Sequence, residues 1–87
     1  MNNFLDNAIK IAHLIHKTET DKLGKPYILH PLQVMNSPLL KTDEEKAVGV
    51  LHDTVESNPN AIILLRVMRI PEVVIEAVQL LTRDLND

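Results

Sequence analysis

The chain of 87 residues is 45% hydrophobic, carries a formal net charge of −3 and contains no cysteine. This length and composition are those of a single small globular domain, 1–87. The absence of cysteine excludes disulfides and thiolate metal ligands and fits a cytoplasmic protein. The negative charge, with no basic stripe, argues against nucleic acid as a partner. No apolar run approaches the roughly 20 residues of a membrane span, and the chain does not start like a signal peptide.

The first predicted element is an amphipathic helix over residues 3–17, capped by Asn2 or Asn3. Its apolar positions recur at three- and four-residue spacings, which is the period of one helix face. They are Leu5, Ala8, Ile9, Ala12, Ile15 and His16. The polar segment 18–26, TETDKLGKP, contains a Gly-x-Pro sequence and is predicted to be a loop.

A second helix is predicted over residues 28–36. Pro31 is tolerated there only in the first turn, which places His30 at the helix start. Ser37 precedes a proline and is therefore disfavoured in helical geometry, so the helix is expected to end there.

A third helix, 43–55, is predicted to begin at the capping box formed by Thr42 and Glu45. The segment SNPN then interrupts the helical pattern. Two more helices are predicted, a short one over 61–68 with Asn60 as its cap and one over 71–83 opened by a proline. The apolar face of the last helix is assigned to Val73, Val74, Ala77, Val78 and Leu81. The predicted fold class is therefore all-α, a bundle of about five helices.

Three residues form a candidate metal site. His52 and Asp53 are adjacent near the end of an apolar helix, and His30 comes from the start of another. Imidazole and carboxylate groups are standard ligands of divalent transition ions, and three protein ligands leave coordination positions open for water and substrate. Another interpretation stays open: His30 as a cap, His52 as a hydrogen-bonded histidine and Asp53 as a solvated residue.

The remaining histidines are weaker candidates. His13 and His16 lie three residues apart on the first predicted helix, a spacing compatible with a metal pair. Membership of an amphipathic helix face accounts for both without a metal.

Four segments of the chain occur in an order and at spacings typical of a known family. They are AHLIH (12–16), DKLGKPYILHPLQV (21–34), VLHDTVES (50–57) and AVQLLTR (77–83). Together they resemble the HD-domain phosphohydrolases, and most closely the RelA/SpoT-type branch that hydrolyses (p)ppGpp, with its small stand-alone relatives. The resemblance covers nearly the whole chain and implies an HD-domain-like helical bundle.

The resemblance also implies a set of site residues. His30, His52 and Asp53 match metal-binding positions, and the ion expected in this branch is Mn²⁺. Glu56 matches the acidic residue that orients or deprotonates the attacking water. Lys22 and Tyr27 match a loop that lies along the nucleotide or its phosphates, although Tyr27 fits a packing role equally well.

The chain departs from this family in three places. Ser57 stands where the family has a second acidic residue, and Asp21 stands where the (p)ppGpp hydrolases have an arginine. The family's fourth ligand belongs to a later helix, and the chain ends before that helix would begin, so we expect a partial HD-domain that is either a natural truncation or a fragment of a longer protein. Asp84 and Asp87 do not align with that ligand, and either would replace it only if the C-terminus folds back.

Two functions follow from these residues. The first is a metal-dependent phosphohydrolase acting on a nucleotide or related phosphoester. The second is a degenerate, non-catalytic HD-like module that binds a nucleotide or a protein partner, and Ser57 and the missing ligand favour it. A homo-oligomer is also expected, because the apolar segment 61–81 would be left uncovered by the missing helices. The same residues could instead fill the domain's own core.

Overall fold

Helices make up the regular structure of the chain in a computed structural model that describes residues 3–86, with side chains through Thr82. In chain order they are α1 (Phe4–Ile15), α2 (Leu29–Met35), α3 (Asp43–Leu51), the single turn α4 (Thr54–Ser57), α5 (Ala61–Val67) and α6 (Glu72–Asn86). Within residues 3–86 there is no strand, only an isolated antiparallel bridge between Thr20 and Pro26. The all-α prediction is confirmed, as five helices and one helical turn.

Two of the predicted helix caps are present in the structure. The side chain of Asn3 accepts a hydrogen bond from the Leu5 amide at 3.0 Å and caps α1. Thr42 and Glu45 form the complete capping box at the start of α3. Asn60 occupies the N-cap position of α5, as predicted, but its side chain makes no capping hydrogen bond.

The predicted helix 43–55 is interrupted, and this is the main correction to the predicted elements. α3 ends at Leu51, and α4 begins only at Thr54. Two side chains form hydrogen bonds with carbonyl groups of the last turn of α3. The Thr54 hydroxyl donates to the Leu51 carbonyl at 2.8 Å, and His52 Nδ1 donates to the Gly49 carbonyl at 2.6 Å. These hydrogen bonds replace those of a continuing helix. The interruption falls on the His-Asp pair.

The core is aliphatic and centres on α3, which packs against α1, α2 and α6. Its fully buried large side chains include Ile11, Leu51, Leu65, Ile75 and Val78. Gly49 allows α2 and its following segment to approach α3 closely, since a Cβ at that position would lie 2.8 Å from Leu40 Cδ1. α2, which carries His30, is thereby held against the helix that leads into His52 and Asp53.

The register of the last helix differs from the prediction. Val74, Ile75 and Val78 are buried, whereas Val73 is 62% and Leu81 41% exposed. The helix also extends to Asn86, beyond the predicted end at residue 83. The segment 61–81 therefore contributes both to the domain's own core and to an exposed apolar surface. Among the helices of residues 3–86, none has the length and apolar character needed to cross a membrane.

Candidate metal centre

The loop between α1 and α2 is shaped by its own hydrogen bonds. Asp21 Oδ1 accepts from the amides of Leu23 at 2.8 Å and Lys25 at 2.9 Å. Gly24 sits at the turn with a φ of +81°, a conformation that glycine adopts without steric cost. Asp21, at the position where the (p)ppGpp hydrolases have an arginine, therefore serves to stabilise the loop.

The same loop delivers Tyr27 and then His30 to one side of the molecule. The Tyr27 amide donates to the Glu19 carbonyl at 2.9 Å, which closes the loop at its base. The His30 amide then donates to the Tyr27 carbonyl at 3.0 Å as α2 begins. Pro31 lies in the first turn of α2, as predicted, and is buried. His30 is exposed at the start of the helix.

His52 is oriented by the end of α3. Its Nδ1 lies 2.6 Å from the Gly49 carbonyl oxygen, and a carbonyl only accepts hydrogen bonds, so Nδ1 carries the proton. In the neutral ring this leaves Nε2 with a free lone pair. Metal-binding histidines commonly donate their other ring N–H to a carbonyl or carboxylate in this way, which fixes the tautomer and the ring.

His30, His52 and Asp53 converge, with one ligand atom from each lying within 4.8 Å of the others. His52 Nε2 is 3.1 Å from Asp53 Oδ2. In the neutral ring both atoms offer lone pairs, which a metal ion between them could accept. The donor set of two imidazoles and a carboxylate suits a divalent transition ion.

Tyr27 contacts this group through Asp53. Its hydroxyl donates a hydrogen bond to Asp53 Oδ2, the oxygen that also faces His52. Burial, the hydrogen bond to Asp53 and the nearby negative charges of Asp53, Glu19 and Glu56 raise the pKa of Tyr27 above its ordinary value. The phenol therefore stays protonated and remains a donor at neutral pH.

Four aromatic rings line up across the site. Ring centroids are 4.9 Å apart for His16 and Tyr27, 5.9 Å for Tyr27 and His30, and 5.5 Å for His30 and His52. These spacings are those of ordinary aromatic contacts. His16, which the sequence assigned to an apolar helix face, is buried and forms the inner end of the row.

A cavity of about 520 Å³ opens beside His30. Its lining combines four residues of the loop and three of α2: Asp21, Leu23, Lys25, Tyr27, Leu29, His30 and Gln33. Lys25 is the lysine in this wall, whereas Lys22, which the resemblance assigned to substrate, is exposed and is not part of it. The loop's turn at Gly24 separates the two lysines, an effect that the sequence pattern does not reveal.

Glu56 and Ser57 lie in α4, directly after Asp53. Both are exposed, and Glu56 is close enough to Tyr27 to contribute to the raised pKa of the phenol. The Ser57 hydroxyl donates to Glu19 Oε1 at 3.3 Å. Glu19 was not singled out from the sequence, because its contact with Ser57 joins positions far apart in the chain. The Asp84 side chain and Asp87 lie outside the part of the chain that the structure describes.

Comparison with known proteins gives one partial similarity. The chain is 38% identical over 58 residues to the rice (Oryza sativa subsp. japonica) protein named "Putative GTP diphosphokinase RSH1, chloroplastic", a RelA/SpoT homologue. The match covers 62% of this chain and 6% of that protein. No protein-family model matches the chain, and no solved structure is significantly similar to it. The chain is therefore distantly related to RelA/SpoT proteins over part of its length.

Proposed function

We propose that the chain is a metal-dependent phosphohydrolase domain whose substrate is a nucleotide or related phosphoester of the (p)ppGpp type. The observation that carries this proposal is the convergence of His30, His52 and Asp53, with His52 Nε2 facing Asp53 Oδ2 at 3.1 Å. The partial similarity to a RelA/SpoT homologue supports the same class of chemistry.

The residues present fit a divalent ion. His52 is already in the tautomer that a metal ligand needs, because Nδ1 is committed to the Gly49 carbonyl. Asp53 is held by Tyr27, so its carboxylate is oriented before any ion arrives. We propose Mn²⁺ as the ion and His30, His52 and Asp53 as its ligands. Only three side chains of the described part form this group, fewer than the four that the resemblance implies.

The chain's own residues suit phosphoester hydrolysis. A bound divalent ion would supply Lewis-acid polarisation of a phosphoryl oxygen and activation of water at neutral pH. Glu56, which follows the ligands on α4, is proposed to accept a proton from the attacking water. Lys25 in the cavity wall would attract the phosphate as a point charge, and Lys22 at the exposed edge of the loop would add to the positive field. Tyr27 is proposed to contact the substrate at the cavity while it holds Asp53.

Turnover of a nucleotide panel in the presence of Mn²⁺ tests this function. The panel contains guanosine and adenosine nucleotides with and without a 3′ phosphate. We expect release of phosphate or pyrophosphate by the wild-type chain and none by His52→Ala. His13→Ala is the matched control, since His13 is an exposed histidine of α1. Absence of turnover across the panel at every Mn²⁺ concentration would rule out the catalytic proposal.

A second candidate is a non-catalytic module that binds a nucleotide. The observation in its favour is Ser57, whose hydroxyl bonds to Glu19 where the resemblance calls for an acidic residue beside Glu56. It predicts that calorimetry detects nucleotide binding at the cavity while the panel shows no turnover. Lys25→Ala should weaken that binding, because Lys25 is the lysine in the cavity wall.

A further inference from the structure

We propose that Glu19 is a positioning residue of the metal centre, which fixes Tyr27 and, through its hydroxyl, Asp53. This inference rests on the proposed function, because it assigns Glu19 a part in the same site. Glu19 follows the end of α1, makes no hydrogen bond to the three proposed ligands in the described part of the chain and is assigned no role by the resemblance.

The Glu19 carboxylate joins two separate helices. Its Oε2 accepts from His16 Nδ1 at 3.1 Å, at the end of α1, and its Oε1 accepts from the Ser57 hydroxyl at 3.3 Å, in α4. The side chain of His16 is 0% exposed, and its Nε2 has no hydrogen-bond partner in the described part of the chain. Glu19 is thus the sole polar anchor of that buried ring within this part.

The Glu19 backbone holds Tyr27 directly. Its carbonyl accepts from the Tyr27 amide at 2.9 Å, and its own amide donates to the His16 carbonyl at 3.0 Å. The ring that Glu19 anchors, His16, packs against the Tyr27 ring at a centroid distance of 4.9 Å. The backbone and the ring of Tyr27 are therefore both placed by contacts that pass through Glu19.

Two routes then lead to Asp53. Along the first, the Tyr27 hydroxyl donates to Asp53 Oδ2. Along the second, Ser57, which donates to Glu19, is itself bonded through its amide to the Asp53 carbonyl at 3.0 Å. Residues that orient a ligand from outside the coordination sphere strongly affect metal affinity. Glu19 therefore contacts both residues that bond to Asp53, Tyr27 and Ser57.

The test compares Glu19→Ala with Glu19→Gln. A glutamine keeps the length of the side chain: its carbonyl can accept from His16 Nδ1, and its amide can donate to the Ser57 oxygen. Alanine removes both contacts. If Glu19 acts by position, Mn²⁺ affinity measured by calorimetry should fall by about tenfold in Glu19→Ala and stay close to wild type in Glu19→Gln.

The same substitution in the Tyr27→Phe background shows whether the effect passes through the phenol hydroxyl. Because Tyr27→Phe already removes the hydrogen bond to Asp53, Glu19→Ala should cause a smaller loss of Mn²⁺ affinity there than in wild type, since only the route through Ser57 remains. A general loss of stability would instead add to the effect of Tyr27→Phe. Equal losses of affinity in both backgrounds would overturn the inference.

A metal-free measurement separates this inference from the proposed function. Tyr27 is the chain's one tyrosine and there is no tryptophan, so its fluorescence reports on a single site. We expect acrylamide to quench Tyr27 more strongly in Glu19→Ala than in wild type or Glu19→Gln. Unchanged quenching would overturn the inference. Failure of the wild-type chain to bind Mn²⁺ would contradict the proposed metal centre, and the quenching result would then decide the role of Glu19.

Ser57→Ala provides a milder variant if Glu19→Ala does not fold. It removes one hydrogen bond from the Glu19 carboxylate and leaves His16 anchored. In Ser57→Ala, quenching of Tyr27 should rise by less than in Glu19→Ala, and Mn²⁺ affinity should fall by less than in Glu19→Ala. A Ser57→Ala chain identical to wild type in both measurements would contradict the inference.

Discussion

The Tyr27 hydroxyl donates a hydrogen bond to Asp53 Oδ2, and the same oxygen lies 3.1 Å from His52 Nε2. Tyr27 comes from the loop before α2, whereas Asp53 lies at the interruption between α3 and α4. One hydrogen bond therefore ties the loop that lines the cavity to the carboxylate of the proposed metal centre. Since the pKa of Tyr27 is raised, the donor is present throughout the neutral range.

Tyr27→Phe should weaken metal binding with little effect on the fold. It removes the hydrogen bond to Asp53 and retains the ring that packs between His16 and His30. Loss of an outer partner of a ligand typically costs 10–100-fold in metal affinity, so calorimetry with Mn²⁺ should show a drop of about this size. A variant that binds Mn²⁺ as tightly as wild type would show that Asp53 needs no support from Tyr27.

Thr42→Ala should destabilise the chain by about 1 kcal/mol, the usual effect of losing a threonine N-cap. The Thr42 hydroxyl accepts from the Glu45 amide at 3.1 Å, and alanine leaves that amide without a partner. Denaturant unfolding measures the change. Thr42→Ser retains the hydroxyl and serves as the control, and it should stay close to wild type.

The charge of Glu45 should make part of the stability depend on pH. Hydrogen bonds from the Thr42 backbone and then the Lys41 backbone lower the pKa of Glu45 below its ordinary value. Because the folded-state pKa is the lower one, this stabilisation is present above the ordinary glutamate pKa and is lost as the pH falls through the folded-state value.

Unfolding of wild type and Glu45→Gln from neutral to acidic pH checks this sign. Glutamine also supports a capping box, so the comparison isolates the charge. Wild type should be the more stable chain at pH 7, and the difference should shrink as the solution becomes acidic. A difference that grows on acidification would contradict the assignment.

Leu65→Ala should destabilise the chain by about 2–5 kcal/mol, because it opens a cavity at a fully buried leucine of α5. Leu39→Ala is the matched control, since Leu39 is 82% exposed and its loss should change the free energy of unfolding by less than about 0.5 kcal/mol. If denaturant unfolding shows equal losses of unfolding free energy for the two substitutions, Leu65 is not part of the core.

The homo-oligomer stays a prediction, and the structure supplies residues with which to test it. Ile63 and Val67 on α5 and Val73 and Leu80 on α6 are all more than half exposed. Light scattering of the wild-type chain should give a mass above that of the monomer, and Val73→Lys combined with Leu80→Lys should reduce it to the monomer. Leu14→Lys on α1 is the control. A wild-type chain with the mass of a monomer would contradict the predicted homo-oligomer.

The sequence predicts the helical elements and the members of the proposed metal centre better than it predicts the hydrogen bonds that hold them in place. His30, His52 and Asp53 stand in motifs whose spacing can be read along the chain, and the structure brings them together. The interruption of the third helix was missed because it depends on the Thr54 side chain and on a ring nitrogen of His52, both of which bond to carbonyls of α3. Periodicity of apolar residues does not report such bonds.

Glu19 and Lys25 were missed for a related reason. Glu19 lies only three residues from His16, but its contact with Ser57 forms only after α1 and α4 have packed together. The place of Lys25 in the cavity wall depends on the turn at Gly24. The same limit applies to α6, where helical spacing alone grouped Val73 with the buried face, although it is exposed.

Calorimetric titration with Mn²⁺ tests the proposed metal centre most directly. Wild type and His13→Ala should each bind one ion per chain, because His13 lies outside the converging group. His52→Ala should show no binding, since it removes the ligand whose tautomer is set by the Gly49 carbonyl. Equal Mn²⁺ binding by wild type and His52→Ala, or none by either, would contradict the proposed centre.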